Sequence, residues 1–424
     1  VAARTILFLQ GPPSPFWREL AGAFEAAGHR SVRVLLCPGD RLYWRGPAVS
    51  YRGSLAGWRD ALAALVAREG VTDILYFNDQ TPYHRVAAAL AAEQGLHAVT
   101  VEFGYLRPGW LTLERSGMGA RSHLPDDPSV IRALARGLND PHPTDRFAHD
   151  KATEAFHETV VAFANVLLRP AFPRYDMDRA LNPILEYAST LLRWARLAGR
   201  QREQTVALKR ALSGAWPFML LPLQLQTDYQ IRRNSPYQDQ RDMLKAACAS
   251  FARCAPAALN LLVKVHPLDV GLIDWPAEVR RIAARHGLAD RVVTIDGGDL
   301  AALLDRSSGS VLINSTVGLH AIRAQRPVKV LGVAVFDMAG LTHQGPLDAF
   351  WTNPEPVDPD LARDFVRVLA RTIQVAGSVY EPAGRQAAVS EIVRRVLQRE
   401  VNEPGAFVDP PPRLARATAL GIVP

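Results

Sequence analysis

Three short stretches carry residue types able to handle an activated sugar or a phosphate. Asp228 stands in Gln224-Leu-Gln-Thr-Asp228-Tyr-Gln, just past the apolar run Phe218 to Gln224. A carboxylate in a loop beyond a buried strand can serve as a nucleophile or base, and it can equally cap a helix or turn. Lys264-Val-His266-Pro267 ends a second apolar run. The proline keeps the chain extended and limits where the ring of His266 points, leaving a histidine able to donate to a phosphate or carboxylate, or simply to be satisfied by backbone. Ile313-Asn314 leads into Ser315-Thr316-Val-Gly318 and a helix. A hydroxyl pair at a helix start, with Gly318 allowing close approach, suits an anion, because amide N–H groups and the helix dipole both favour negative charge there. Ordinary capping by Ser315 is compatible with that role.

Nearer the start, Glu102-Phe-Gly104-Tyr-Leu-Arg107-Pro follows another apolar run. Glu102 and Arg107 suit an acid/base group and an anion clamp, or a structural ion pair. Asn78-Asp79-Gln80 and Tyr83-His84 follow the preceding run and are expected to face the same cleft; Trp17, Trp44 and Trp110 are expected to pack. Neither a GxGxxG nor a Walker fingerprint is present, and no Asp-x-Asp pair suggests a metal-bound sugar nucleotide. A metal-independent site, with no cofactor, is therefore expected.

The elements that must hold these residues alternate. Thr5 to Gln10, Val32 to Leu36, Asp73 to Phe77 and Ala98 to Phe103 read as strands. The helices between them include one that opens at Ser14-Pro15, with Phe16, Leu20 and Phe24 on one face. From about Asp145 to Ser213 the pattern is helical only. Alternation resumes with strands at Phe218 to Gln224, Leu261 to Val265, Val292 to Ile295, Val311 to Asn314 and Val328 to Leu331. Apolar strands alternating with helices predict parallel sheets covered on both faces. Two such halves make a GT-B-like pair of Rossmann-type domains with a helical connector. The expected boundaries are 1–140, a connector at 141–213, a second domain at 214–378, and a segment 379–424 that crosses back and ends in a Pro-rich tail. Late helices are expected at Leu361 to Gln374 and Val389 to Arg399, and the tail from Pro404 is expected to be loosely held. Ligands in such folds gather at the carboxyl ends of the strands, where all three stretches lie.

Composition narrows the class. The chain has 424 residues, 48% hydrophobic, which suits two or three domains. Three cysteines, Cys37, Cys248 and Cys254, show no disulfide or zinc spacing. No apolar run approaches the ~20 residues of a membrane span. The net charge of +7 favours an anionic partner. No basic arm or aromatic RNA-binding signature accompanies it, so nucleic acid is not expected.

Taken in order, these segments resemble the capsule polysaccharide synthesis family, its KpsS/LipB-type members more than the tandem KpsC/LipA type. The matching pieces are Phe8-Leu-Gln-Gly-Pro12, Gly39-Asp40-Arg41 with Trp44, and Tyr76-Phe-Asn-Asp79-Gln80 with Tyr83-His84. They continue with Glu102 to Pro108, Gln224 to Asp228, His266-Pro267, Asn314 to Gly318, and Phe336-Asp337-Met-Ala-Gly340-Leu-Thr342 with Phe350-Trp351. Where KpsC-like modules tend to carry Glu after the Ser-x-x-Gly turn, this chain has Leu319-His320. The resemblance implies a retaining β-Kdo transferase using CMP-β-Kdo and a (lyso)phosphatidylglycerol acceptor, with Asp228 as the nucleophile of a double displacement. It implies Lys264, His266, Pro267, Ser315, Thr316 and Gly318 around the CMP, in the second domain. Glu102 is the candidate acid/base, in a first domain that would take the acceptor. Arg107, Arg232 and Gln224 are candidates for the Kdo or acceptor anion. A cytoplasmic protein peripheral to the inner membrane, alongside other capsule proteins, is the expected setting. Another CMP- or CDP-dependent GT-B transferase and a non-catalytic assembly or export subunit remain alternatives.

Overall fold

The computed structural model describes residues 3–148, 151–177 and 183–422. They form two compact units. The first comprises residues 1–125, 134–178 and 366–412, and the second 126–133, 179–365 and 413–424.

The first unit is built on seven strands: β1 (Thr5–Phe8), β2 (Arg30–Leu35), β3 (Val49–Ser50), β4 (Asp73–Phe77), β5 (His97–Phe103), β6 (Trp110–Arg115) and, from far along the chain, β12 (Gln374–Ala376). Their order is β12-β6-β5-β4-β1-β2-β3, parallel from β5 to β3. The central strands read as unbroken apolar runs because helices cover both faces. Phe16, Leu20 and Phe24 of helix Phe16–Ala26 and Ile392 and Val396 of helix Pro382–Gln398 bury one face. Helices Trp58–Glu69 and Pro82–Gln94 bury the other. The expected packing roles of Trp17 and Trp44 hold, since both are buried in the first of these cores.

The second unit has five parallel strands: β7 (Phe218–Pro222), β8 (Asn260–Lys264), β9 (Val292–Ile295), β10 (Gly309–Leu312) and β11 (Val328–Val330), in the order β11-β10-β7-β8-β9. Helices Gln240–Cys254 and Trp275–Arg285 pack on one face with Phe350 and Trp351. Each unit is thus a doubly wound α/β layer, and the GT-B-like pair of Rossmann-type domains is the architecture.

Three expectations change. Residues 110–115 form a strand antiparallel to β5, and the late helix spans Pro359–Thr372 before the chain enters β12, antiparallel to β6. The cause is a long-range contact: the Gln374 amide donates to Thr112 Oγ1 (2.9 Å) and accepts from Tyr105 N (2.8 Å). Helical periodicity cannot register that contact. The segment past Pro404 is also tied down. Val408 N donates to the His123 carbonyl (2.8 Å), Arg115 lies 3.6 Å over the Phe407 ring, and buried Arg413 donates to the carbonyls of Ala334 and Val335. Buried backbone and guanidinium groups of this kind demand partners, and those partners fix the tail.

Candidate functional site at the carboxyl edge of the second sheet

Along the second sheet the chain runs from β7 to β8 to β9 in one direction, then returns to β10 on the other side of β7. Connections leave β7 and β10 toward opposite faces, and the crevice at such a reversal is where doubly wound folds bind ligands. Gln224, His266 and Asn314 each stand two residues beyond the ends of β7, β8 and β10. All three therefore emerge on the same edge.

Amides knit that edge. Gln224 Nε2 donates to Asn314 Oδ1 (2.9 Å) across the reversal. Gln240, fully buried at the start of its helix, accepts from Gln224 N (2.8 Å) and donates to Gln224 O (2.8 Å). Asn314 Nδ2 donates to the carbonyl of Gln230 (2.9 Å), in the short helix Tyr229–Asn234 that follows Asp228. Gln224 is thus a buried bridge, and its amide is committed to protein partners more than to an anion. Gln240 was not singled out from the sequence, because a glutamine at a polar helix start looks like solvent-facing surface.

Asp228 is half-buried and occupies the N-cap of that short helix, its Oδ1 accepting from Gln230 N (2.9 Å). The capping role left open by the sequence is realised. Arg232, one turn on, is half-buried, and its Nε has no hydrogen-bond partner among the described residues. A buried guanidinium N–H without an acceptor is costly, and a ligand carboxylate would satisfy it.

Past β8, His266 Nδ1 accepts from Leu268 N (3.1 Å). An amide can only donate, so a neutral ring accepting at Nδ1 carries its proton on Nε2. Pro267 follows, and Lys264 is buried in the last position of β8, paired with Pro222 and Ile295.

The turn past β10 is tighter than expected. Val317 N donates to Ser315 Oγ (3.3 Å), Gly318 N to Ser315 O (3.0 Å) and Leu319 N to Thr316 O (3.0 Å). The first amides of the seven-residue helix Val317–Arg323 are therefore engaged within the turn, leaving the hydroxyls of Ser315 and Thr316 as the groups suited to an anion. Gly318 has a packing cause. A Cβ there would lie 2.6 Å from the ring of Phe336, so a core aromatic approaches closely at this glycine.

In the first unit, Glu102 lies within β5, opposite Thr112 of β6, and its Oε1 accepts from Phe103 N (3.0 Å). Arg107 is exposed; it donates to Gly104 O (3.1 Å) and stacks 5.0 Å over Phe103. These two residues belong to a different unit from the other candidates. Asp79, Gln80, Tyr83 and His84 are buried. Asp79 accepts from Met118 N (2.8 Å) and Gln80 Nε2 (3.0 Å), and burial raises its carboxyl above the usual range. His84 donates to Asn78 O (2.7 Å), stacks on Tyr76, and is pushed down to about 4 by burial. This motif fixes the turn after β4.

Among the described residues, no helix is long and apolar enough to cross a membrane. Residues 72–380 match the profile of a family described as capsule polysaccharide biosynthesis protein. The chain is 31% identical over 394 residues to the capsule polysaccharide export protein KpsS of Escherichia coli, covering 90% of this chain and 98% of that one. It is 28% identical over 389 residues to the capsule polysaccharide modification protein LipB of Neisseria meningitidis serogroup A, covering 89% and 92%. Among solved structures, the β-Kdo 2,7 transferase of Thermosulfurimonas dismutans KpsC is 13% identical, covers 92% of this chain and 99% of that one, and gives a TM-score of 0.45. The profile spans well over half of the chain and agrees with near-full-length relatives, so the chain is a member of the capsule polysaccharide biosynthesis protein family.

Proposed function

We propose that this chain is a retaining glycosyltransferase. It moves β-Kdo from CMP-β-Kdo to a (lyso)phosphatidylglycerol acceptor, beginning the lipid linker of a capsule polysaccharide. One observation carries the reading: Asp228 follows the strand at the reversal point of the second sheet, braced through Asn314 and flanked by the His266 turn. In the first step a carboxylate oxygen of Asp228 attacks the anomeric carbon of the sugar. The bond from that carbon to the phosphate oxygen breaks, and CMP leaves with the electron pair. The acceptor hydroxyl then attacks the glycosyl ester from the other face, its proton passing to a base, and the Asp228 carboxylate is released. Two inversions give net retention.

In this reading the Nε2–H of His266, Lys264 and the hydroxyls of Ser315 and Thr316 meet the departing phosphate, while Arg232 takes the sugar carboxylate. Pro267 holds the His266 turn, and Gly318 seats the helix behind it. Gln224 sets the edge, and Arg107 is assigned the acceptor phosphate. The acceptor proton is assigned to Glu102. No metal or cofactor enters. The net charge of +7 favours residence at an anionic inner-membrane surface, where each well-placed Lys or Arg contributes about 1 kcal/mol.

The test is incubation with CMP-β-Kdo and a short-chain phosphatidylglycerol analogue, with and without EDTA. A product heavier by one Kdo, β-configured and insensitive to EDTA, is expected. Turnover of CMP-sialic acid with none of CMP-Kdo would overturn the donor assignment. The E. coli relative is named an export protein, which favours a second reading as a non-catalytic subunit, and transfer by the purified chain decides between them.

A further inference from the structure

Beyond β8 the backbone leaves its ladder, and the carbonyls of His266, Pro267 and Asp269 need partners elsewhere. One side chain collects them. Arg193, in helix Pro183–Leu212, donates from Nη1 to Pro267 O (3.2 Å) and to Asp269 O, and from Nη2 to His266 O (3.4 Å). Its other edge meets the carboxylate of Asp296, the residue after β9, with Nη2 to Oδ1 at 2.7 Å and Nε to Oδ2 at 3.3 Å. The pair is nearly buried, with side chains 11% and 9% exposed. The fixed fork of a guanidinium suits this many-armed role, and an ammonium does not.

The loop is fitted to the helix on either side of that contact. Ser189 Oγ donates to Val270 O (2.7 Å), and Gln204 Oε1 accepts from Asp296 N (2.7 Å). Gly271 has φ +75, and a Cβ there would lie 2.5 Å from Arg193 Cβ. From beneath, Asp269 accepts from Gly271 N (2.8 Å) and Trp275 Nε1 (3.0 Å).

We infer that Arg193 is a positioning residue for donor binding. It holds the loop that aims His266, and its loss weakens the grip on the nucleotide's phosphate. The inference rests on the proposed function only in taking His266 as a phosphate contact.

The test measures CMP affinity by titration calorimetry, and KM and kcat for CMP-β-Kdo, in Arg193→Gln, Arg193→Lys and Arg200→Gln. Arg200 lies on the same helix and makes a bidentate pair with Asp274 (2.7 and 2.9 Å), so its variant controls for general loosening of that helix. Arg193→Gln should weaken CMP binding and raise KM about tenfold, with kcat changed less. Arg193→Lys should fall between it and the parent. Arg200→Gln should lose thermal stability with unchanged CMP affinity. If Arg193→Gln does not fold, Asp296→Asn takes its place, because it leaves Arg193 present but unpaired in charge, and a smaller rise in KM is expected. Equal CMP affinity in the parent and the Arg193 variants, or an equal loss in Arg200→Gln, overturns the inference. A parent chain that binds neither CMP nor CMP-β-Kdo overturns the functional reading instead.

Discussion

In the proposed mechanism one carboxylate both caps a helix and attacks a sugar. Asp228 Oδ1 holds Gln230 N. The two roles separate by mutation, because asparagine caps as well as aspartate but cannot form the glycosyl ester. Asp228→Asn should keep the parent's urea midpoint, while Asp228→Ala should lose about 1 kcal/mol; both should lose transfer by three orders of magnitude or so. Transfer surviving in Asp228→Asn would sink the nucleophile. Residues of this kind were legible in the sequence because they follow apolar strands directly. Arg193 was not, since its acceptors lie more than 70 residues away in the chain and an arginine in a long polar helix looks like solvent-facing surface. The burial of His84 and Asp79 was likewise not legible, because polar residues past a strand look solvent-facing in the sequence.

At the level of elements, the turn after β10 shows how a motif can have a packing cause. Gly318 faces the edge of Phe336 at a distance no Cβ tolerates. Gly318→Ala should therefore cost about 1–3 kcal/mol through overpacking. Adding Phe336→Leu should restore part of the loss, a coupling a double-mutant cycle reads directly. Simple additivity would show that the ring is not the obstacle. The parallel strands were readable because burial on both faces makes them unbroken apolar runs. β6 carried a weaker signal, the alternation Trp110-Leu-Thr-Leu-Glu-Arg115, and β12 almost none. Three residues gain strand form only from β6 and the Gln374–Thr112 bond.

For the molecule as a whole, acid stability follows from its buried histidines. Burial lowers the pKa of His84 to about 4, and lowers His97 and His123 as well. For His84 this means a ring that is neutral when folded and takes up a proton on unfolding, so its stabilisation is present above the unfolded value of about 6.5 and is lost as pH falls toward the folded one. His84 alone should remove about 2 kcal/mol between about pH 7.5 and pH 5. Urea midpoints across that range should fall in the parent and flatten in His84→Asn; a flat parent profile would refute this.

Strand β12 also sets a timetable. β6 ends at Arg115 and its outer neighbour begins at Gln374, so a ribosome must add roughly 260 residues before that neighbour exists. At ~5–20 residues per second the wait is tens of seconds. Throughout it the nascent chain shows a bare strand edge able to recruit other chains.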